Sequence, residues 1–420
     1  MTKKFRWLSC IIGLIVLIAP LSSAFAGPKA PRVKVMTRNL YLGADIFRIT
    51  KADPIIEPGN LCKSNGILAV VADVYNTMLY TNFWARAEVI ADEIMYADAE
   101  VIGLQEVSTF YKQTPGDFLA GNPVKADTVV IDFYKVLNDA LEARGLYYKA
   151  YTTTNSDVEL PMISGCPTGP PILSDVRMVD HDVILVKANY NSTQVQLPAP
   201  YDTNNFKNNL SLEISGTLVT FTRGFGIINV DIKNTIFRFV NTHLEVSDLV
   251  GSPFRLFQSA QMQELLGILD SLETYDLKPV PVIMVGDFNS SSEDVPGVYD
   301  PDGAGPHEGY PYVPPYMLAT NGGLLDTWLE QRNSKKYIYD EGYTFGFEET
   351  IDDPNDTLET RIDHIFLNSG NLDVRKIRNE VLGNEPGDMI LNDLTTEDPY
   401  DMLWPSDHAG VTSKMQFFAP

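Results

Sequence analysis

Positive charge is in short supply in this chain. Its 420 residues carry 32 Lys and Arg against 55 Asp and Glu, a formal net charge of −23. A chain of that sign has no general attraction for phosphate backbones or anionic lipid heads. No dense Lys/Arg cluster of the kind that grips a polyphosphate stands out, so any phosphate compound handled here must be held by local cations. Histidine is scarce as well. The five residues are dispersed without a His/Cys grouping, which argues against a zinc site. Cysteine occurs three times, at Cys10, Cys62 and Cys166. Beyond the first 26 residues no hydrophobic run is long enough to cross a bilayer, and no internal repeat is present.

The opening residues have a different character. Lys3, Lys4 and Arg6 form a basic start, Ile11 to Ala19 an apolar stretch, and Ala24-Phe25-Ala26 a small-x-small end. This pattern predicts a signal peptide over residues 1–26, cut before Gly27, and an exported protein, periplasmic or secreted. Cys10 precedes the apolar stretch, the wrong side for a lipid anchor. Cys62 and Cys166 remain after cleavage. An oxidising compartment allows one disulfide between them, although spacing alone does not show that they meet.

Along the rest of the chain, short apolar runs end abruptly in polar residues. Val33 to Met36 leads into Thr37-Arg38-Asn39, and Val101 to Leu104 into Gln105-Glu106. Phe237 to Val240 leads into Asn241-Thr242-His243, and Val282 to Val285 into Asp287. These runs read as buried strands, as do 182–186, 226–232, 362–367 and 411–417. Helical periodicity marks 82–97, 131–144 and 256–272. The runs 226–232 and 236–242 are joined by so few residues that they must be antiparallel neighbours. Mixed sheets with helices outside follow, in a layered α/β sandwich. The Pro/Gly/Tyr-rich stretch 295–316 and the acidic run 351–359 read as loops within a single catalytic domain over 30–420.

The polar residues at the strand ends are the candidates for chemistry. Residues two apart in a strand face one way, so Asp287 and Asn289 can share a pocket while Phe288 packs behind them. Taken singly, each candidate has an ordinary explanation. Asn39 is a turn former, Glu106 a solvated carboxylate, His243 a satisfied core histidine. Asp287 and Asn289 can make an Asx turn, Asp363 can pair with Arg361, and Asp407 can cap a turn through Ser406 beside His408.

Their order along the chain favours a joint role. The stretches TRNLYLG (37–43), IGLQEV (102–107), FVNTHLE (239–245), VGDFNS (285–290), RIDHIF (361–366) and PSDHAGV (405–411) resemble the endonuclease/exonuclease/phosphatase superfamily. That group includes pancreatic-type deoxyribonucleases, abasic-site endonucleases, bacterial sphingomyelinases and inositol polyphosphate 5-phosphatases. SDVELP (156–161) and DHDVILV (180–186) resemble a secreted or envelope bacterial branch. The resemblance implies a four-layered α/β sandwich, two mixed, mostly antiparallel sheets face to face with helices outside. It implies Glu106 as principal metal ligand, with Asn39 and Asp407 completing or orienting the metal's hydration shell. Asp287 would orient or deprotonate the attacking water, and Asn289 would hold a phosphate oxygen. His408, paired with Asp407 or Asp363, would act as base or stabilise charge, and His243 would donate to the phosphate or leaving group.

Oxygen-rich ligands suit Mg²⁺, with Mn²⁺ or Ca²⁺ as substitutes. The expected substrate is a phosphodiester, nucleic acid first and a phospholipid head group second, with inositol phosphates third. A catalytically inactive secreted binding protein is the alternative of another class. No obligate protein partner is implied, and a monomer is expected. The tyrosines of 295–316, Tyr299, Tyr310, Tyr312 and Tyr316, either pack on the protein itself or meet a stacking or lipid partner.

Overall fold

The computed structural model describes residues 31–418 apart from 58–60, 167–170, 215–216, 248–252, 276–278, 301–308, 333–339 and 395–400. The predicted signal peptide lies outside the described residues. Two sheets face each other. The larger has eight strands. At its centre Arg32–Asn39 pairs in parallel with Val101–Gln105 and antiparallel with Gly410–Phe418. Asp373–Leu382 flanks Gly410–Phe418, and Ile172–Lys187 flanks Val101–Gln105. Ile172–Lys187 also forms a long hairpin with Tyr148–Gly165 and pairs with Thr109–Gln113, which pairs in turn with Thr128–Asp132. The smaller sheet has six strands, in the order Leu325–Asp326, Asp363–Asn368, Val282–Asp287, Thr235–His243, Gly224–Ile232 and Asn191–Gln194.

Each sheet holds one parallel pair at its centre, and helices make both crossovers, because a parallel return needs a dozen or more residues. Ile67–Tyr80 and Phe83–Ala97 lie between the first pair, Phe254–Tyr275 between the second. The helices cover the outer faces. Ile90, Ala91 and Ile94 join Met36, Ile102 and Leu104 in one core. Met262, Leu265 and Ile268 join Val240, Met284 and Phe366 in another. Between the sheets lies a third core, with Val33, Val35 and Val101 against Phe237, Phe239, Ile283, Val285 and Ile365. The layer order is helix, sheet, sheet, helix, the four-layered sandwich that the sequence resemblance implies.

Period-two alternation explains both faces of each strand. In Thr235–His243, Phe237 and Phe239 face the other sheet while Val240 faces the helix. The predicted antiparallel pair is present as Gly224–Ile232 with Thr235–His243. The predicted helices appear as Phe83–Ala97, Phe133–Ala143 and Phe254–Tyr275.

Two regions differ from expectation. Helix Ile67–Tyr80 was not anticipated; Val71, Val74 and Met78 bury its inner face. The stretch 295–316 is not wholly loop: Gly297–Tyr299 pairs with Tyr310–Tyr312, and Pro315 begins a helix. Tyrosine suits a paired strand as well as a loop. Tyr316 is buried, its hydroxyl donating to Asp326 Oδ2 at 2.8 Å. A disulfide joins Cys62 to Cys166, with Cα atoms 6.0 Å apart. It ties the loop before helix Ile67–Tyr80 to the end of the long hairpin.

Candidate active site

The seam between the sheets is apolar along most of its length and turns polar at one end. On one face, Val33 and Val35 are followed at the same spacing by Thr37 and Asn39. Phe237 and Phe239 are followed by Asn241 and His243, and Ile283 and Val285 by Asp287. Register then aligns the ends. His243 sits opposite Asp287, and Asp287 opposite Asp363, on three adjacent strands. Asn39 sits opposite Gln105 in the other sheet.

Close approach of the two sheets holds this end together. A Cβ on Gly103 would lie 2.4 Å from both Asn241 Oδ1 and Val285 Cγ2. In that space Gln105 Nε2 donates to Asn241 Oδ1 at 2.6 Å, and Asn241 Nδ2 donates to Leu104 O at 2.9 Å. These buried amides bridge the sheets beneath the site. Gly286, at φ +148, is also required. A Cβ there would fall 1.9 Å from Thr242 O.

The loops beyond the strands complete the cluster. Buried Arg86, on helix Phe83–Ala97, donates to Leu40 O at 2.7 Å and Pro405 O at 3.0 Å. It thereby clamps the TRNLYLG and PSDHAGV segments side by side. Arg38 donates to His408 O and to Glu93 Oε1 at 2.9 Å. Tyr41, Glu106 and Asn289 all have left-handed backbones, at φ 62, 58 and 48. Non-glycine residues adopt that conformation at a cost and often where function demands it. At Glu106 the turn swings the carboxylate out of the strand line.

Asn39 stands at the centre. Its Nδ2 donates to Glu106 Oε1 and to Asp287 Oδ2, both at 3.1 Å, while Oδ1 accepts from Tyr41 N–H at 2.9 Å. In this arrangement the amide orients the two carboxylates. Glu106 Oε2 accepts from Leu42 N–H at 2.6 Å. Asp287 Oδ1 accepts from Asn289 N–H at 2.9 Å, so the Asx turn exists and serves to aim the carboxylate. His408 Nδ1 lies 2.8 Å from Asp363 Oδ2, leaving Nε2 to face Asp287 Oδ2 at 3.7 Å and Asp407 Oδ1 at 3.9 Å. Of the two partners open to His408 from sequence, Asp363 makes the hydrogen bond. Arg361 pairs with Asp326 at 2.7 Å instead of with Asp363.

Arg223 was not singled out from the sequence. It precedes strand Gly224–Ile232, and its Nη1 lies 3.0 Å from His243 Nδ1 while Nη2 approaches Glu245 at 3.4 Å. The same Nη1 lies 3.2 Å from Nε2, which also faces Asn289 Nδ2 at 3.3 Å and Asp287 Oδ2 at 3.5 Å, so donors stand against both nitrogens of the ring. Asn289 Nδ2 donates to Leu244 O at 3.1 Å. These groups line a cleft of ≈370 Å³, where Arg223 is the one Arg or Lys among the described lining residues. Asp180, Tyr41, Phe345 and Phe347 line it too, and the Phe345 ring centroid is 4.8 Å from that of His408. Tyr41 and Asp180 lie in the quoted stretches 37–43 and 180–186 without having been singled out, and nothing local in the sequence marks Phe345 or Phe347. The tyrosines of 295–316 do not line the cleft.

Burial and like charge set the proton affinities. Burial, then Asp363, push the Asp287 carboxyl up to about 7. Burial, then Glu106, raise Asp407 to about 6, although His408 pulls the other way. Burial also raises Glu106. For His408 burial acts to lower the pKa, but the Asp363, Asp407 and Asp287 carboxylates outweigh it and hold the ring well above its usual range. His243 is pushed far down by burial and by the Arg223 and His408 cations, so it stays neutral.

Two groupings are open to a cation. Ligand atoms of Asp287, Asp363 and His408 lie within 4.8 Å of one another. A protonated His408 bonded to Asp363 repels a cation, which leaves Glu106 and Asp407, half-buried carboxylates that both line the cleft, with Glu106 among the groups that raise the Asp407 pKa. Asp363 Oδ1 has no partner, and the cluster as a whole has more buried carboxylates than cations to balance them. Such a hard oxygen set fits a divalent cation.

A family model described as the Endonuclease/Exonuclease/phosphatase family matches residues 79–408. Members of that family hydrolyse phosphoesters and depend in general on divalent metals. Among solved structures, truncated TDP2 of Caenorhabditis elegans is 16% identical, with a TM-score of 0.45 over 92% of this chain and 97% of that one. The Bacteroides thetaiotaomicron mannosyl-6-phosphatase is 18% identical, with a TM-score of 0.44 over 91% and 99%. The human Nocturnin catalytic domain with bound sulfate is 16% identical, with a TM-score of 0.40 over 92% and 94%. None of the curated proteins matches the chain.

Proposed function

This chain belongs to the endonuclease/exonuclease/phosphatase family, and from that premise we propose that it is a Mg²⁺-dependent phosphodiesterase that acts outside the cytoplasm. The observation that carries the reading is the Asp363–His408 pair at 2.8 Å facing Asp287, with Asn39 joining Asp287 to Glu106. Glu106 and Asp407 would hold the metal, which when bound neutralises phosphate charge. Asp287 accepts a proton from water, whose oxygen attacks phosphorus. The His408 imidazolium, fixed by Asp363, stabilises the negative charge that builds on the phosphoryl oxygens. Asn289 donates to one of those oxygens. As the P–O bond to the leaving group breaks, the neutral His243 imidazole hydrogen-bonds the departing oxygen, which takes its proton from solvent, while the proton held by Asp287 returns to solvent. Arg223 sits against the His243 ring and offers its positive charge to the anion.

The presence of one Arg and no Lys among the described residues lining the cleft, together with the net charge of −23, favours a small phosphodiester over a long nucleic acid. The basic, apolar and small-residue opening together with the Cys62–Cys166 disulfide support export. The test is hydrolysis of bis-p-nitrophenyl phosphate and of a panel of nucleic acids, phospholipids and sugar phosphates by the mature protein, with Mg²⁺ and with EDTA. Turnover that EDTA abolishes is expected. Undiminished turnover in EDTA, or in folded Asp287→Ala, overturns the mechanism, and no turnover on any substrate favours a binding protein. An N-terminus at Gly27 on exported material checks the processing site.

A further inference from the structure

The cleft has an apolar annex. A second cavity, of ≈70 Å³, shares Leu42, Ala44, Ile46, Met178 and Phe221 with it. Leu42 shows how directly the two are joined. Its N–H donates to Glu106 Oε2 at 2.6 Å, and the residue borders both spaces. The far wall comes from helix Ile67–Tyr80 and from the strands carrying Val158 and Ile214. No charged side chain lines the annex among the described residues, whereas the adjoining cleft is lined by Glu106, Asp180, Arg223, Asp287 and Asp407. The annex is partly open to solvent, and its apolar walls favour an apolar group over water.

Size limits the occupant. A benzene-filled cavity of ~150 Å³ implies ~25 Å³ per carbon, so ≈70 Å³ takes roughly three carbons. We propose that the annex seats a small apolar substituent of the substrate, making the preferred substrate class a phosphate ester that carries a short aliphatic or similarly compact apolar group. A nucleoside sugar is too polar for these walls, and a long acyl chain exceeds the space. The proposal rests on the hydrolase reading for its chemistry but on the cavity for its selectivity.

Calorimetric titration of methyl to octyl monophosphates into the full mature chain with Mg²⁺ tests it without turnover. Affinity should rise about fourfold per methylene for about three carbons, then level off. Val158→Phe, which fills the annex from its far wall, should flatten the rise. Val158→Ala should carry it about one carbon further, and near-UV circular dichroism checks that both variants are folded. Equal or undetectable binding of methyl and butyl phosphate by the wild type overturns the proposal. So does a rise that continues to octyl, which marks an open hydrophobic surface, or a slope unchanged in folded Val158→Phe and Val158→Ala. The matching p-nitrophenyl alkyl diesters separate the two readings. A chain-length slope in binding without hydrolysis removes the hydrolase and leaves the annex, while hydrolysis with a flat slope does the reverse.

Discussion

The two ends of the inter-sheet seam are built from the same strands and do opposite work. At one end Phe237, Phe239, Ile283, Val33 and Val35 are buried against each other. At the other, His243, Asp287 and Asn39 are as deeply buried but polar. The apolar end gains from every contact it makes, since burial of a large side chain stabilises the fold by about 1.5–3 kcal/mol. The polar end is held in place despite its own energetics, with Asp287 ionising only near pH 7 because burial and Asp363 oppose its charge. The contrast teaches that the apolar rungs fix the spacing of the sheets, and that spacing forces unfavourable neighbours together at the cleft.

Substitutions at the two ends should therefore separate stability from chemistry. The largest effect is expected at the polar end. Asp287→Ala or His408→Ala should lower kcat/KM on bis-p-nitrophenyl phosphate by about 10³-fold or more, with the far-UV spectrum retained. A loss below tenfold in either variant breaks the contrast. Phe239→Ala at the apolar end should cost about 3–5 kcal/mol in urea unfolding with kcat of the folded fraction unchanged. Removal of the Cys62–Cys166 bond, which closes a separation of 104 residues, should cost about 2–4 kcal/mol by the same measurement and leave the seam itself intact. Arg223→Gln should reduce kcat/KM by about 10–100-fold, since it takes away a guanidinium in contact with His243 and facing the cleft.

The smallest effect sharpens the comparison most. A carboxyl whose folded pKa is raised is destabilising once the unfolded form ionises, that is, above the ordinary aspartate range. Asp287→Asn in EDTA at pH 8 should therefore raise stability by about 1 kcal/mol while abolishing turnover. A clear loss of stability would show that Asp287 is held by more than geometry.

Much of this was legible before folding. Short apolar runs ending in polar residues at 237–243 and 282–287 marked the strands, and the period of two in side-chain direction put Asp287 and Asn289 on one face. Asp287, Asn289, Asp363 and His408 could be named because each sits at or near the end of such a run. Helix Ile67–Tyr80 escaped because ILAVV at its start is as good a strand pattern as a helix one. The hairpin within 295–316 escaped because its strands are three residues each and carry no alternation. Arg223 escaped for another reason. Its meaning lies in His243 and Glu245, some twenty residues further on, at and just beyond the end of the next strand.

The linear order of residues settled the layers, the strand ends and the kinds of donor and acceptor available there, since those follow from local periodicity and composition. Folding alone decided that His408 bonds Asp363, that Arg361 turns to Asp326, that His243 is neutral while His408 is charged, and that an apolar space opens beside Glu106. Pairing and proton affinity depend on distance and burial. Those quantities exist only once segments as remote as Arg38 and His408 have been packed into contact.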